Sequence, residues 1–179
     1  MSLYLIEIVP TSKDRDAVSS LVETVGEALP ATGAELIESQ VTAGAERIFT
    51  IVEATSPDGL ADAIDTASGD AAVEIDGPHE VRLVGAELED IKALKSGHTA
   101  EYLVEWDIPS EITMDQYLAR KKANAPKYAE VPEVSFLRTY VREDTAKCLC
   151  FYDAPDEEAV VRARKAVSTP IDRLFKLHA

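Results

Sequence analysis

Hydrophobic positions along this chain fall into short strand-like runs separated by longer runs with helical spacing, and the same order of elements occurs twice. Residues 3–9 (LYLIEIV) are rich in β-branched and aromatic residues and predict a strand closed by Pro10. From Asp14 to Leu29 the apolar residues Ala17, Val18, Leu21, Val22, Val25 and Leu29 recur at helical spacing. Pro30 and Gly33 end that helix. Residues 34–41 and 47–54 read as a hairpin through Thr42-Ala43-Gly44-Ala45. Ser56-Pro57-Asp58 opens a second helix, with Leu60, Ala61, Ile64 and Ala67 as its apolar stripe and Gly69 as its stop. Residues 79–84 supply a last strand.

Residues 85–101 read as a linker, with a short helix from Glu87 to Lys95 broken at Ser96-Gly97. The order then repeats. Strand 102–108 ends at Pro109, and a helix starts at Thr113 with Gln116 as its capping-box partner. Pro126 kinks or ends that helix. Strands 134–142 and 147–153 form a hairpin around Glu143-Asp144-Thr145-Ala146. Pro155-Asp156-Glu157-Glu158 opens the final helix with acids at its positive end, and residues 172–178 form the closing strand. Residues 34–54 align on 134–154 without a gap, and the identities that survive include Val41 with Val141 and Ala54 with Ala154.

A strand–helix–strand–strand–helix–strand order written twice predicts an α+β fold of two tandem ferredoxin-like units, 1–85 and 102–179, joined by the linker 86–101. Helices cover one face of each antiparallel sheet, and the bare face must be buried. We expect the two units to pack sheet to sheet as a pseudo-dimeric α/β barrel within one chain. Units of roughly 80 residues sit near the lower limit for an independent core and gain from packing on each other; a homodimer of the chain is a separate candidate assembly.

Charge then narrows the partners. The chain carries 18 Lys+Arg against 33 Asp+Glu, a formal net charge of -15. That argues against nucleic acid, whose phosphates require a basic face, and against an anionic membrane surface. No apolar run approaches a membrane span, and MSLYLIEIVP lacks a basic leader, so a cytoplasmic location is the expectation. Hydrophobic residues make up 46% of the chain, enough to build cores.

Strand alternation assigns the candidate chemistry to faces. Grouping mixed polar sets on the helix-free face places Glu105, Phe136, Arg138, Tyr140, Cys148, Cys150 and Tyr152 together in the second unit. In the first unit it places Leu5, Glu7, Leu36, Glu38, Gln40, Ile48, Thr50 and Val52. Glu105 and Arg138 meet in this reading, either holding a polar ligand or forming a structural ion pair. Glu7 and Glu105, at matching strand positions, are candidates to share a cavity with one raised carboxyl pKa. Cys148 and Cys150 point the same way and are weak candidates for a soft metal, though two thiols need further ligands and buried cysteine commonly acts as a small hydrophobe. A reactive thiol would need a basic neighbour, for which Arg138 is the candidate. His79 and His178, on the last strands, complete the candidate metal set; His98 lies in the linker.

The second unit resembles a bacterial family of small ferredoxin-like proteins of uncharacterised function, some of them described as nickel-binding or nickel-responsive. The resemblance rests on Tyr102-Leu103-Val104-Glu105, Arg138-Thr139-Tyr140-Val141, Cys150-Phe151-Tyr152-Asp153-Ala154-Pro155-Asp156-Glu157-Glu158 and Pro170-Ile171-Asp172-Arg173. In the first unit it is limited mainly to Tyr4-Leu5-Ile6-Glu7 and Glu53-Ala54. Many family members carry a histidine in the last helix where this chain has Ala163. The resemblance implies the fold, sheet-to-sheet association and Ni2+ as a ligand.

The expectation is a binding protein for a small molecule or a metal ion, nickel among them. Glu105, Arg138, Tyr140, Cys150, Tyr152, Glu7 and Glu38 are its candidate ligand-binding residues. The alternatives are a cofactor-independent dimeric-barrel enzyme, such as a small monooxygenase or isomerase with an apolar substrate, and an assembly module whose faces only bury each other. No residue is assigned a catalytic role.

Overall fold

In chain order the elements are β1 (Ser2–Pro10), α1 (Arg15–Ala28), β2 (Glu35–Val41), β3 (Ile48–Ala54), α2 (Leu60–Ser68), β4 (Ala72–Val84), α3 (Leu88–Leu94), β5 (Tyr102–Asp107), α4 (Met114–Asn124), β6 (Ser135–Arg142), β7 (Lys147–Asp153), α5 (Glu157–Ala166) and β8 (Arg173–Lys176). They come from a computed structural model that describes residues 1–94 and 100–178, so the expected break at Ser96-Gly97 and His98 lie outside the described residues. The class is α+β with antiparallel strand pairing. Among the described residues no helix is long and apolar enough to cross a membrane.

The chain divides into two compact units. The first takes Met1–Val81, the segment beginning at Glu89, and His178; the second takes Arg82–Leu88 and the segment ending at Leu177. In the first, the strands lie in the order β2-β3-β1-β4; in the second, β6-β7-β5-β8. Each core lies between its sheet and its helices. Val18, Leu21 and Val25 of α1 and Ile64 of α2 pack on Tyr4, Ile6, Ile8, Ile48 and Val52. Tyr117 of α4 and Ala159, Val160 and Ala163 of α5 pack on Tyr102, Val104, Trp106 and Val141.

Helix starts are fixed by local chemistry. Asp14 Oδ2 accepts from Ala17 N at 3.1 Å, and Asp156 Oδ1 from Ala159 N at 2.8 Å. Thr113 and Gln116 form the expected reciprocal box, with Thr113 N donating to Gln116 Oε1 at 2.9 Å and Gln116 N to Thr113 Oγ1 at 3.2 Å. Helix α4 ends at Asn124, and Ala125–Glu130, which contains Pro126, continues as a 3-10 turn.

The units carry matching irregularities. In β2, Leu36 pairs Val52 while Glu38 pairs Ile51, so Ile37 is an extra residue. In β6, Phe136 pairs Tyr152 while Arg138 pairs Phe151, so Leu137 is extra. Each is a bulge, and it moves the next residue to the other face. The hairpin turns match too: Ala45 and Thr145 both hold positive φ, at 56° and 58°.

Three boundaries differ from expectation. Strand β4 begins at Ala72, not residue 79, because pairing with β1 continues through a register shift to Pro10 opposite Ala72. Helix α2 starts at Leu60 with Gly59 as its cap, since Ser56 Oγ accepts from Asp58 N and closes a turn first. The closing strand β8 has four residues, bounded by its pairing with Tyr102 to Glu105.

Candidate functional site

Register decides which candidates share a face. Glu105 lies opposite Leu149, Tyr140 opposite Leu149, and Arg138 opposite Phe151. Glu105, Arg138 and Tyr140 therefore share the helix-free face, with Leu103, Leu149 and Phe151 beside them. The Arg138 guanidinium stacks 5.0 Å from the Phe151 ring centre, and Tyr140 meets that ring edge-on at 5.9 Å. Glu7 and Glu38 occupy the corresponding face of the first unit, opposite Phe49 and Ile51.

Cys148, Cys150 and Tyr152 are on the other side. They lie opposite Trp106, Val104 and Tyr102 and pack against the helices. Phe136 joins them, because the Leu137 bulge separates it from Arg138. In the first unit Leu36, Ile48, Thr50 and Val52 also change face, as partners of β-strand residues on the helix side. In the second unit, cysteine and tyrosine account for the difference from expectation. Both bury readily as largely apolar bodies with a small polar tip.

On the helix-free faces, Glu105 and Glu7 each meet cations of their own unit. Lys147 Nζ donates to Glu105 Oε1 at 2.8 Å, and Arg173 Nε donates to Glu105 Oε2. Glu105 is fully buried. Arg173 also grips Asp107, donating from Nη1 to Oδ2 at 3.0 Å, and its guanidinium holds the Asp107 carboxyl below its usual range. Glu105 thus takes Lys147 and Arg173 in place of the expected Arg138. In the first unit Arg47 Nη1 donates to the buried Glu7 at 3.0 Å. Glu7 and Glu105, expected to act as a pair, each have a basic partner within their own unit.

The helix side of the second unit holds the denser chemistry. A cavity of about 20 Å³ is lined by Trp106, Tyr117, Arg120, Lys121, Asn124, Ala125, Tyr128, Cys148, Cys150, Arg164, Val167 and Thr169. Its volume suits a molecule of about one or two heavy atoms. Arg164 reaches it because position 164 follows Val160 by four and continues the buried stripe of α5. The Arg164 side chain is 2% exposed, donates to Tyr152 Oη at 3.1 Å and Pro170 O at 2.6 Å, and leaves Nε without a partner. Lys121 and Arg120 are steadied by ring faces, Lys121 4.3 Å from the centre of Phe136 and Arg120 5.3 Å from that of Trp106.

The acids of this cavity are thiols and phenols. Both cysteines are free and buried. Cys150 Sγ accepts from Thr139 Oγ1 at 3.1 Å. A hydrogen bond from Cys148, against the cost of burial and with help from Lys121 and Arg164, holds Cys150 well below the usual thiol value. The same hydrogen bond and burial hold Cys148 up. Burial pushes Tyr117 and Tyr152 up, and pushes Tyr128 up to about 12. Tyr128 Oη and Tyr152 Oη lie 2.6 Å apart.

The candidate metal residues do not converge. His79 on β4 pairs with Asp76 at 2.9 Å. His178 donates its backbone N–H to Val41 O at 2.7 Å, so it lies by β2, at the opposite edge of the strand order from β4. There it lines a cavity of about 510 Å³ with Lys13, Arg15, Val18, Val22 and Val41. Among the described residues no three His, Cys, Asp or Glu side chains gather as a metal site. Cys148 and Cys150 share their cavity with three basic residues and no further such donor, and Ala163 is a buried methyl. These residues do not fit a nickel ion, and we assign none of them as a metal ligand.

Residues 102–177 match the family model described as nickel responsive protein, SCO4226-like; the remainder of the chain lies outside that match. No curated protein is matched. Among solved structures, SCO4226 from Streptomyces coelicolor A3(2) is 19% identical over 45% of this chain and 98% of that chain, with a TM-score of 0.39. A proposed monooxygenase from Lactobacillus acidophilus NCFM is 10% identical over 99% of this chain and 94% of that one, with a TM-score of 0.54. A proposed chlorite dismutase, TA0507, is 14% identical over 100% and 96%, with a TM-score of 0.56. The last two likenesses show the fold alone, a ferredoxin-like α+β class.

Proposed function

We propose that this chain, a tandem of two ferredoxin-like units, is a binding protein for a small ligand, with its site in the helix-side cavity of the second unit. The observation that carries this reading is Arg164, a buried guanidinium with an unpartnered Nε on a cavity that also holds two free thiols. Buried polar groups are ordinarily satisfied, so an exception in a lined cavity supports a bound group there. The lining is basic, which favours an anion or a soft electrophile over a divalent cation.

The family match of residues 102–177 supports a metal ion as the ligand class, and nickel is the metal its description names. Its donors would then lie outside the cysteine cavity. Glu105, Arg138 and Tyr140 serve in this reading to hold the helix-free face, together with Glu7 and Glu38. Homodimerisation and a cytoplasmic location belong to the same reading. A cofactor-independent monooxygenase or isomerase has the shared fold as its support, and fold alone does not carry activity.

Native mass spectrometry of the untagged protein with and without Ni2+ tests the choice. The expected spectrum shows no stoichiometric nickel adduct. An adduct that survives mild activation and is lost in Cys148→Ser or Cys150→Ser would overturn the reading.

A further inference from the structure

Arg164 poses a charge problem that its own cavity answers. Arg164 is 2% exposed, and the two acceptors of its guanidinium, Tyr152 Oη and Pro170 O, are neutral groups. Among the described residues, no Asp or Glu lines the cavity. A buried cation without a counter-charge is strongly disfavoured, so an anion belongs beside it. The lining groups able to become anions are Cys148, Cys150, Tyr117 and Tyr128, and a thiol ionises more readily than a phenol. Of the two thiols, Cys150 is the acceptor, taking the Thr139 hydroxyl hydrogen at 3.1 Å.

Building on the site reading above, we propose that Cys150 Sγ is a thiolate that neutralises Arg164, and that the cavity over it is a reaction site for a small oxidant of the hydrogen peroxide class. The cavity admits a molecule of about two heavy atoms. The thiolate attacks one peroxide oxygen and the O–O bond breaks. Sulfur is oxidised and peroxide reduced. The departing hydroxide takes the proton of the attacked oxygen, giving a sulfenate and one water. The unpartnered Nε–H of Arg164 supplies a donor for an oxygen as it gains charge, and the sulfenate leaves the guanidinium still neutralised. Cys148 lies two residues away on the same strand, a poor geometry for a disulfide, so the sulfenate is the product expected to persist.

The charged and titratable groups facing Cys150 are Tyr117, Arg120 and Lys121 from α4, Tyr128 from the following turn, Arg164 from α5, and Cys148 and Tyr152 on its own strand. Arg138, the basic neighbour expected for the thiol, lies on the other face of the sheet.

Absorbance at 240 nm, followed against pH in the full chain, reads the thiolate directly. One thiolate per chain is expected at pH 7, lost in Cys150→Ser and kept in Cys148→Ser. Dosing with hydrogen peroxide in the presence of dimedone, then mapping peptides, should place one label on Cys150. Arg164→Met should slow labelling about thirtyfold at pH 7, the factor by which an ordinary thiol is less ionised, while Arg164→Lys should restore most of it. No thiolate in the wild-type chain below pH 8, or equal labelling of Cys148, overturns the proposal without any variant. A crystal soaked in sodium bromide then separates the two readings. Bromide at Nε with Cys150 neutral would sink the thiolate and keep the ligand cavity. An empty Nε with both thiols neutral would sink both.

Discussion

Lys147 and Glu105 form a buried ion pair across β7 and β5, Nζ 2.8 Å from Oε1, with the carboxylate fully buried and the lysine side chain 12% exposed. Removing one partner of such a pair strands a charge in the interior, which costs more than the pair itself contributes. We expect Lys147→Met to lower stability by about 3 kcal/mol, at the low end of that class because Arg173 remains on the same carboxylate. Urea unfolding measures this. A loss under about 1 kcal/mol would reduce the pair to the worth of a surface ion pair.

Gly77 gives a steric prediction. Its φ is +121°, and a Cβ there would stand 2.5 Å from the Leu5 carbonyl oxygen, a backbone atom in a paired strand that cannot step aside. Gly77→Ala should cost about 2–3 kcal/mol. Gly33, at φ +82° with nothing within 4 Å, is the control, and alanine there should cost about 1 kcal/mol. Equal losses in thermal or urea unfolding would mean that conformation alone, and not the Leu5 carbonyl, sets the penalty.

The acid limb of stability should carry the Asp107 signature. The Arg173 hydrogen bond keeps this carboxyl below its ordinary value in the folded chain. The folded state then binds fewer protons than the unfolded state, so stability rises with pH across that window. The contribution is present in full above the unfolded value of about 3.9 and fades as pH falls through the folded value. Asp107→Asn should flatten the profile below about pH 4. The side chains are 54% and 40% exposed, so 1 M salt should shrink the effect; an unchanged acid limb in Asp107→Asn would refute it.

Tyr128 governs part of the alkaline limb. Burial pushes its phenol up to about 12. An unfolded tyrosine ionises near pH 10, so between about pH 10 and 12 the unfolded state loses a proton that the folded state keeps, and stability falls. Tyr128→Phe should lessen that fall. In the native protein, absorbance at 295 nm should show a phenol ionising near 12 that this variant lacks.

Much of the fold could be read from periodicity because its signals are local. Thr113 with Gln116, and the apolar stripe from Val18 to Val25, depend only on near neighbours, and the structure keeps them. The site was less legible for two physical reasons. The extra residues Ile37 and Leu137 reset alternation within a strand, and nothing in their chemistry marks them as bulges. Arg164 is a charged helix residue, a type ordinarily solvated. Its spacing from Val160 and Val167 was the available signal, and it pointed inward.

Ile37 and Leu137 also act as hinges of meaning for the genetic text. Along most of a strand a codon substitution changes one side chain on one surface. Removing the Leu137 codon would leave Phe136 and Arg138 as neighbours opposite Tyr152 and Phe151, and ordinary alternation would keep the ring in the stratum of Cys150 and the guanidinium in that of Glu105. Single-residue deletion at these two positions is therefore a trimming that keeps the wiring, whereas deletion elsewhere in β2 or β6 inverts it.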